Sequence, residues 1–234
     1  MTAPLRKARR PSLENFRVTS VTLVEEVRRK LKEAIFTGVL KPGDRLIELE
    51  LSASLGVSRP ILREAIRGLQ AERLCEITPH RGAQIPILSW TEAEQIYYTR
   101  ALLEGEAAAL CAANISKEAV DDLHSALKAF GDAVKLNDPY QRVEATALFY
   151  AKIMKYSGNA IIEEVLTSLV ARVSFLRARS MSVSGRARKS YAEMEKLFLA
   201  IKKRDPKAAR AVAEAHVKNA QEAAKAYFVG EQQA

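Results

Sequence analysis

The stretch from Leu46 to Leu69 reads LIELELSASLGVSRPILREAIRGL, and it decides the fold of the first part of the chain. Gly56 is placed to end a first short helix, because glycine readily adopts the left-handed conformation that follows many helix ends. Ser58 is a preferred residue at the start of a helix, and Pro60 fits the first turn that follows, where no backbone N–H is needed. Two short helices joined by a tight turn predict a helix-turn-helix.

The second of these helices has one apolar side and one basic side. Arg59, Arg63 and Arg67 are each four residues apart and form a stripe beside the apolar side. Such a helix suits the major groove of DNA. A surface helix with solvated arginines has the same pattern, so the flanking sequence has to decide between the two. The residues with the i, i+3, i+4, i+7 spacing of a buried face are Leu62, Ala65, Ile66 and Leu69.

The flanking sequence supplies the other elements of a winged helix. Residues 22–25 have the residue types of a capping box, and a helix with one apolar face follows them. Residues 45–47 are short and strand-like, and residues 74–78 and 83–87 alternate around a Pro-His-Arg-Gly turn. A helix, a helix-turn-helix and a hairpin in this order predict a winged helix. Arg81 then lies near the tip of the wing, where it can reach phosphates or a minor groove.

The stretch from about Val21 to Ile87 resembles the DNA-binding domain of the GntR family of bacterial transcriptional regulators. The matching residues are GVLKPGDRLIELELSASLGVSRPILREAIRGLQAERLCEITPHRGAQI, which contain the Pro-Gly, Arg-Leu, Gly-Val-Ser-Arg, Arg-Glu-Ala and Arg-Gly motifs in the family's order. The family commonly has threonine and then proline after the turn arginine, whereas Pro60 and Ile61 follow Arg59 here. This departure leaves the operator sequence open, because a hydroxyl that often contacts phosphate or base is absent.

The resemblance and the side-chain chemistry together give the candidate DNA contacts. Arg59 and Arg63 are expected to contact base edges or nearby phosphates, because a guanidinium matches O6 and N7 of guanine. Ser58 either adds a phosphate contact or serves only as a helix cap. The strand and wing residues are expected to hold the phosphate backbone. The predicted DNA-binding set is Arg45, Ser58, Arg59, Pro60, Arg63, Arg81 and Gly82.

The charge of the chain agrees with a polyanionic partner. The formal net charge is +9 and the sequence pI is about 9.6. Residues 1–88 contain sixteen Lys and Arg against ten Asp and Glu, so +6 of this charge lies there. A basic excess on the module with the helix-turn-helix is the pattern expected for DNA binding. Residues 1–17 are interpreted as a basic flexible arm, with a supporting contact to DNA as the alternative.

The second part of the chain predicts only helices. Asp138-Pro139 and Asp205-Pro206 are both typical helix starts, with a capping carboxylate before a proline. Thr91 to Glu94 has the residue types of another capping box, and Ser116 is placed to cap the next helix. Residues 161–179 are interpreted as one continuous helix. Apolar periodicity without any strand pattern predicts an all-helical bundle.

The predicted fold is therefore mostly α. Residues 18–87 are expected to form an N-terminal winged helix-turn-helix with a small β-hairpin wing. Residues 91–228 are expected to form a C-terminal all-helical bundle of six or seven helices that binds a ligand and dimerises.

The second half resembles the effector domain of the FadR subfamily, a helical bundle that binds small ligands and often dimerises. The residues that carry this resemblance are YYTRALLEGEAAALCAANIS, LFYAKIMKYSGN and GRARKSYAEMEKLFLAIKKRDPKAARAVAEAH. Many members hold a divalent metal in the bundle with one Asp and three His. The matching positions here are Thr146, Tyr150, Met194 and His216, and only His216 keeps a usual metal-ligand type. The sequence therefore predicts no structural metal and no other cofactor.

The same four positions are expected to line the ligand cavity, together with Arg100. Tyr150, His216 and Arg100 offer hydrogen-bond donors, and Met194 offers an adaptable apolar wall. Each has a simpler alternative: Met194 as core, His216 as a packed histidine, and Arg100 in an ion pair with Glu104 one turn later. The predicted ligand-binding set is Arg100, Thr146, Tyr150, Met194 and His216.

These observations predict a ligand-responsive repressor of a metabolic operon, whose effector is a small organic acid. A homodimer is expected to present two recognition helices to a two-fold symmetric operator on double-stranded DNA. One alternative is a DNA-binding protein without a small-molecule effector. Another is an enzyme in the helical half, which is disfavoured because the chain has only three histidines and lacks a recognisable catalytic constellation.

The sequence also indicates a compartment. The N-terminus lacks the apolar segment of a secretory signal, and no apolar run has the length of a membrane span. Cys75 and Cys111 are the two cysteines, and neither is part of a metal-binding pair. We therefore expect a cytoplasmic protein that does not associate with a membrane.

Overall fold

The computed structural model describes residues 22–78 and 82–231 of the 234-residue chain. These residues form ten α-helices and three short β-strands. In chain order the elements are α1 (Leu23–Thr37), β1 (Arg45–Leu46), α2 (Glu48–Leu55), α3 (Arg59–Ala71), β2 (Glu76–Thr78), β3 (Gly82–Gln84), α4 (Trp90–Asn114), α5 (Lys117–Lys135), α6 (Pro139–Ser157), α7 (Ala160–Ser168), α8 (Val170–Ser182), α9 (Arg186–Lys202) and α10 (Pro206–Glu231). The fold is mostly α, as predicted.

The first three helices begin and end where the sequence indicates. Thr22 caps α1 by accepting a hydrogen bond from the N–H of Glu25 at 3.3 Å, and Gly38 ends the helix with φ 82°. Gly56 ends α2 in the left-handed conformation, with φ 64°. Helix α3 begins directly after Ser58, whose side chain makes no capping hydrogen bond to any described residue. The start of α3 therefore depends on the backbone conformation of Ser58 and on the proline in the first turn.

The three strands form one antiparallel sheet in the order β1-β3-β2. Leu46 of β1 and Ile77 of β2 both pair with Ala83 in the central strand. The strands are shorter than the alternation predicted. The reason at one end is that Ile85 leaves the ladder and exchanges backbone hydrogen bonds, each 2.9 Å long, with the turn at Gly43 and Asp44.

Seven helices, α4 to α10, form the bundle within the part of the chain that the structure describes. Ser116, Asp138 and Asp205 cap α5, α6 and α10 as predicted. The predicted capping box at Thr91 is wrong. Ser89 is the cap, because its hydroxyl accepts the N–H of Glu92 at 3.2 Å and the helix already includes Trp90.

The single helix predicted over residues 161–179 is also wrong. The N–H of Leu169 bonds to the carbonyl of Leu166, only three residues back, which ends α7. The carbonyl of Leu169 then accepts the N–H of Val173 at 2.9 Å and starts α8. A local change from four-residue to three-residue spacing therefore divides the segment into two helices.

Helix α8 is the buried centre of the molecule. Residues 173–181 are buried without interruption, although they include Arg177 and Arg179. Helices α1, α6, α9 and α10 all pack against it. A helix that is buried on every side has to place its charged groups against partners inside the protein.

The winged helix and the bundle pack against each other. The ring of Phe36 on α1 stacks on that of Tyr140 on α6, with centroids 6.2 Å apart. Arg179 of α8 lies over the end of α1, so that a Cβ atom built at Gly38 would lie 3.2 Å from its Nη1. In residues 22–78 and 82–231, no helix is long and apolar enough to cross a membrane.

Candidate nucleic-acid interface and buried polar cluster

The two sides of α3 differ in burial as the sequence predicts. Leu62, Ala65 and Leu69 are completely buried against α1 and the wing, and Ile66 is buried beside them. The arginines at 59, 63 and 67 are exposed. The core therefore fixes the helix from behind and leaves its guanidinium groups at the surface.

Two of the exposed arginines have partners on the protein. Nε of Arg63 lies 2.7 Å from Oε2 of Glu48, which joins α3 to α2. Arg67 lies 3.4 Å from Glu64 on the same helix. Both contacts are on solvated side chains, where an ion pair contributes at most about 1 kcal/mol. An incoming phosphate or base can therefore replace them.

The other predicted contacts lie near this helix and on the wing. Ser58 and Pro60 are exposed at the start of α3. Arg45 is exposed on β1, directly opposite Gln84 of β3. Gly82 begins β3 with φ 80°, a conformation that favours glycine. The predicted wing-tip residue Arg81 lies outside the described residues.

In the bundle, Arg100 and Glu104 form a buried ion pair, as the simpler reading of Arg100 predicted. Nε of Arg100 donates to Oε1 of Glu104 at 2.7 Å, and the two side chains are 1% and 4% exposed. Nη2 of Arg177 approaches the same carboxylate oxygen at 4.0 Å. One carboxylate therefore faces two guanidinium groups inside the protein.

These charges keep their ionised forms despite burial. Burial alone raises the pKa of the Glu104 carboxyl, but the charges of Arg100 and Arg177 outweigh it and lower the pKa. Burial and the nearby charge of Arg100 lower the pKa of Arg177 to about 10, so it stays positive at neutral pH. The pair and its third partner therefore carry a net positive charge.

Aromatic rings connect this pair to a second polar group. The guanidinium carbon of Arg177 lies 5.0 Å from the centroid of the Tyr150 ring, and Tyr150 stacks on His216 with centroids 5.9 Å apart. Nδ1 of His216 lies 2.7 Å from Oε2 of Glu193, which also accepts a hydrogen bond of 2.9 Å from Arg186. Burial lowers the pKa of His216 in spite of Glu193, which favours a neutral imidazole. We name the whole group the buried polar cluster: Tyr97, Arg100, Glu104, Tyr150, Arg177, Arg186, Glu193 and His216.

The structure brings together three of the five predicted ligand-binding residues. Arg100, Tyr150 and His216 belong to the buried polar cluster. Thr146 is buried, but its hydroxyl donates to the carbonyl of Arg142 at 2.7 Å on its own helix. Met194 is completely buried within the apolar core, which is the alternative the sequence left open for it.

Five cluster members were not in the predicted ligand-binding set: Tyr97, Glu104, Arg177, Arg186 and Glu193. Of these, Glu104 had been named only as an alternative partner of Arg100. A signal for Arg177 exists in the sequence, where Val173 to Met181 reads VSFLRARSM and places two arginines inside an apolar run. Arginine seldom occupies a fully buried position without a partner, so such a run indicates an internal polar site. The partners come from four other helices, and no local pattern predicts them.

Several polar atoms of the cluster are buried without a hydrogen bond to any described residue. They include the hydroxyls of Tyr97 and Tyr150, Nη1 of Arg100, Nε of Arg177, and Nε and Nη1 of Arg186. Native proteins leave few such groups unsatisfied, and each costs free energy unless water or a ligand pairs with it. These donors and hydroxyls are therefore open to ordered water or to a ligand.

The residues at the subfamily's metal positions do not fit a metal ion. The Thr146 hydroxyl is bonded to its own helix, and the Met194 thioether is a weak ligand for zinc, nickel or manganese. Burial raises the pKa of Tyr150, so its phenol stays protonated. Across residues 22–78 and 82–231, no group of three or more His, Cys, Asp or Glu side chains is placed to hold a metal ion.

An exposed arginine helix with a winged hairpin, joined to a helical bundle with an internal polar cluster, defines a two-domain DNA-binding regulator. Residues 23–85 match the bacterial regulatory proteins of the gntR family, and residues 95–219 match the FCD domain. The chain therefore belongs to the GntR family of transcriptional regulators, in the group that has an FCD domain. It is a DNA-binding regulator and not an enzyme, as predicted.

Named relatives agree with this assignment. The chain is 28% identical over 188 residues to YdhC, an HTH-type transcriptional regulator of Bacillus subtilis, covering 80% of this chain and 84% of that protein. It is 28% identical over 166 residues to a probable D-xylose utilization operon transcriptional repressor of Paenarthrobacter nicotinovorans, covering 71% and 73%. The solved structure of E. coli McbR/YncC has a TM-score of 0.68 and 24% identity, and covers 92% of this chain and 99% of that chain. This last similarity concerns the fold.

Proposed function

We propose that this protein is a ligand-responsive repressor that binds its operator through α3 and a small organic acid through the buried polar cluster. One observation carries the proposal: one domain has buried donors that no described residue pairs with, and exposed arginines line the recognition helix of the other. The names of two relatives, repressors of a D-xylose utilization operon and of a gluconate operon, support a metabolic operon as the target.

The proposed DNA interface divides into base contacts and phosphate contacts. Arg59 and Arg63 read base edges in the major groove, because they project from the exposed side of a helix that the core holds in place. Ser58 and the residues of the wing, including Arg81 and Gly82, hold the phosphate backbone and fix the register. Arg45 belongs to the same phosphate-binding set, on the strand that pairs with β3.

The proposed assembly is a homodimer on a two-fold symmetric operator. A single winged helix reads only a half-site, and two copies related by a dyad match a palindromic site. We further propose that the organic acid changes the relative arrangement of the two winged helices. It can do so only through unequal affinity for the two arrangements.

Helix α8 is the proposed connection between the acid and the winged helix. Arg177 and Arg179 are two residues apart on this helix. Arg177 belongs to the buried polar cluster, and Arg179 lies over the end of α1 at Gly38. A movement of α8 that follows the acid would therefore act directly on the first helix of the winged domain.

The test compares specific and non-specific DNA with and without candidate acids. Fluorescence anisotropy is measured on the region upstream of the protein's own gene and on a scrambled duplex of equal length, at fixed salt. We expect stronger binding to the upstream region, and weaker binding when one member of a panel of sugar acids and other organic acids is added. Equal affinity for the two duplexes, with no acid affecting thermal stability, would support a DNA-binding protein without an effector instead.

A further inference from the structure

Beyond the presence of an acid effector, on which this inference rests, we propose that Arg177 and Arg100 bind one monoanionic headgroup directly. In this arrangement the guanidinium of Arg177 binds the anionic headgroup in place of the metal ion that many members of the subfamily hold.

The charges of the cluster leave room for one negative charge. Three guanidinium groups, at Arg100, Arg177 and Arg186, face two carboxylates, at Glu104 and Glu193. One guanidinium charge of this group therefore has no carboxylate as its counter-charge. A buried charge without a partner is costly, and a bound monoanion removes that cost.

The position of Arg177 indicates where the headgroup binds. Its guanidinium lies over the Tyr150 ring, one of the four positions that correspond to the subfamily's metal ligands, and Tyr150 in turn stacks on His216. The positive charge therefore lies directly over one of these four positions and close to a second. A guanidinium binds a carboxylate through two parallel hydrogen bonds, which a point charge does not provide.

The donors that remain unsatisfied match a small acid group. Arg177 Nε, Arg100 Nη1 and the Tyr150 hydroxyl lack hydrogen-bond partners among the residues described here. All three side chains are more than nine-tenths buried. A carboxylate offers about four lone-pair positions, enough to accept from each of these groups. A purely structural ion-pair network would pair its donors internally or with ordered water, so these three groups are open to a ligand.

One side of the cluster borders a cavity that is open to solvent. A cavity of about 350 Å³ lies beside the turn from α8 to α9 and is lined by Arg186, Glu193 and Lys189. Arg186 and Glu193 belong to the cluster, and Glu193 directly contacts His216. Lys189 and Glu222 also line this cavity, so its rim carries one charge of each sign.

The first experiment uses acetate as the probe for the headgroup alone. The melting temperature of the full-length protein is measured with acetate and with acetamide up to about 100 mM, because a group of four heavy atoms binds weakly at best. Ionic strength is held constant with sodium chloride. We expect acetate to raise the melting temperature in a saturable way and acetamide to have no effect. Equal shifts with both compounds would overturn the proposal.

Three variants locate the charge responsible. Arg177→Met should weaken the acetate response about tenfold or more, since it removes a charge-assisted pair of hydrogen bonds. Arg177→Lys keeps the charge without the planar geometry and should keep part of the response. Arg188→Met removes the same charge from an exposed position and should leave the response unchanged. An unchanged response in Arg177→Met would refute the assignment.

The stability of the ligand-free protein provides an independent test. Because Arg177→Met removes the uncompensated charge, its melting temperature without acetate should equal or exceed that of the parent protein by roughly 2–4 °C. A decrease of several degrees, absent in Arg188→Met, would mean that Arg177 is a structural partner and not a ligand-binding group.

A control experiment with the chelator EDTA distinguishes the failure of this inference from the failure of the proposed function. The acetate shift should persist after dialysis against EDTA, and the purified protein should contain no stoichiometric metal. If EDTA abolishes the shift, the anion is held by a metal ion, and the direct guanidinium contact is wrong while an acid effector remains. If an organic acid releases DNA from the Arg177→Met variant as well as from the parent, the repressor function stands and this binding mode does not.

Discussion

Nε of Arg63 on α3 lies 2.7 Å from Oε2 of Glu48 on α2, so a candidate DNA-reading residue already pairs with its own domain. The two side chains are 55% and 39% exposed, which means that water screens the pair. The pair nevertheless restricts the rotamers of Arg63 and keeps its guanidinium at the exposed side of the helix. The pair therefore orients Arg63 and leaves it accessible to DNA.

The loss of Arg63 or Arg59 should weaken operator binding. Arg63→Ala and Arg59→Ala should each reduce affinity for the upstream region by about 5- to 150-fold, because a good bidentate contact to a base provides about 1–3 kcal/mol of discrimination. Fluorescence anisotropy at fixed salt measures the change. Arg188→Ala in α9 carries the same charge loss at an exposed site and should change affinity little. Equal losses in all three variants would mean that net charge, and not these positions, sets affinity.

The removal of Glu48 should have the opposite effect. Glu48→Gln removes the carboxylate from which Arg63 has to separate before it contacts DNA. It also removes a negative charge beside the proposed DNA-reading helix. We expect binding to strengthen a few-fold, with most of the gain at low salt, because the repulsion is screened as salt rises. Glu64→Gln, next to Arg63 in sequence but paired with Arg67, serves as the control for charge alone. A gain no greater than that of Glu64→Gln would show that the contact to Arg63 does not compete with DNA.

The Glu104 carboxylate should matter strongly for stability. Glu104→Gln leaves Arg100 and Arg177 facing each other without a counter-charge, and breaking a buried pair costs about 3–5 kcal/mol. We expect a decrease in melting temperature of roughly 10 °C for a chain of this size. Glu106→Gln, on the same helix but in a partly exposed pair with Arg210, should cost less than about 1 kcal/mol. Similar losses in both variants would contradict the special role of Glu104.

The same carboxylate predicts part of the acid sensitivity. The charges of Arg100 and Arg177 hold the folded-state pKa of Glu104 below its ordinary value of 4.5. The unfolded chain therefore takes up this proton first, so the contribution of Glu104 is fully present above pH 4.5 and is lost as the pH falls below it. Urea unfolding at several values from pH 6 downward should show a smaller loss in Glu104→Gln than in Glu106→Gln. Parallel curves for the two variants would assign the sensitivity to other groups.

The end of α1 offers a test of the contact between the domains. Gly38→Ala forces alanine into the left-handed conformation and places its Cβ 3.2 Å from Nη1 of Arg179. Gly158→Ala imposes the same backbone strain at the end of α6, with no atom within 4 Å of the added Cβ. Both should lose about 1 kcal/mol of unfolding free energy from the backbone. Gly38→Ala should lose more, and identical losses would show that Arg179 moves away at no cost.

The winged helix could be predicted from the sequence because its signals are local. The glycines at 38 and 56, the cap at Thr22 and the buried spacing of Leu62 to Leu69 all act within one or two helical turns. Predictions failed where a local pattern allowed two outcomes. Thr91 and Ser89 are both good caps, and the apolar run over 161–179 did not reveal the break at Leu169.

The candidate DNA-reading surface and the candidate ligand site differ in the same way. Arg59 and Arg63 could be chosen from sequence, because one helix sets their direction and one buried face opposes it. The role of Arg177 could not be assigned in this way, although the sequence shows that it lies within an apolar run. Its partners Glu104 and Tyr150 are 73 and 27 residues away along the chain and come from α4 and α6.

The amino-acid sequence by itself determined the two-domain order, most of the helix ends and the arginine side of α3, because backbone conformation and helical periodicity depend on near neighbours. Only the tertiary structure decided that three arginines, two glutamates and a histidine share one interior space. Their proximity arises because α6, α9 and α10 pack around α8 and α4 packs against the same three helices. Burial then turned ordinary side chains into a charged site, because a low-polarity interior makes each unpaired donor and each uncompensated charge costly.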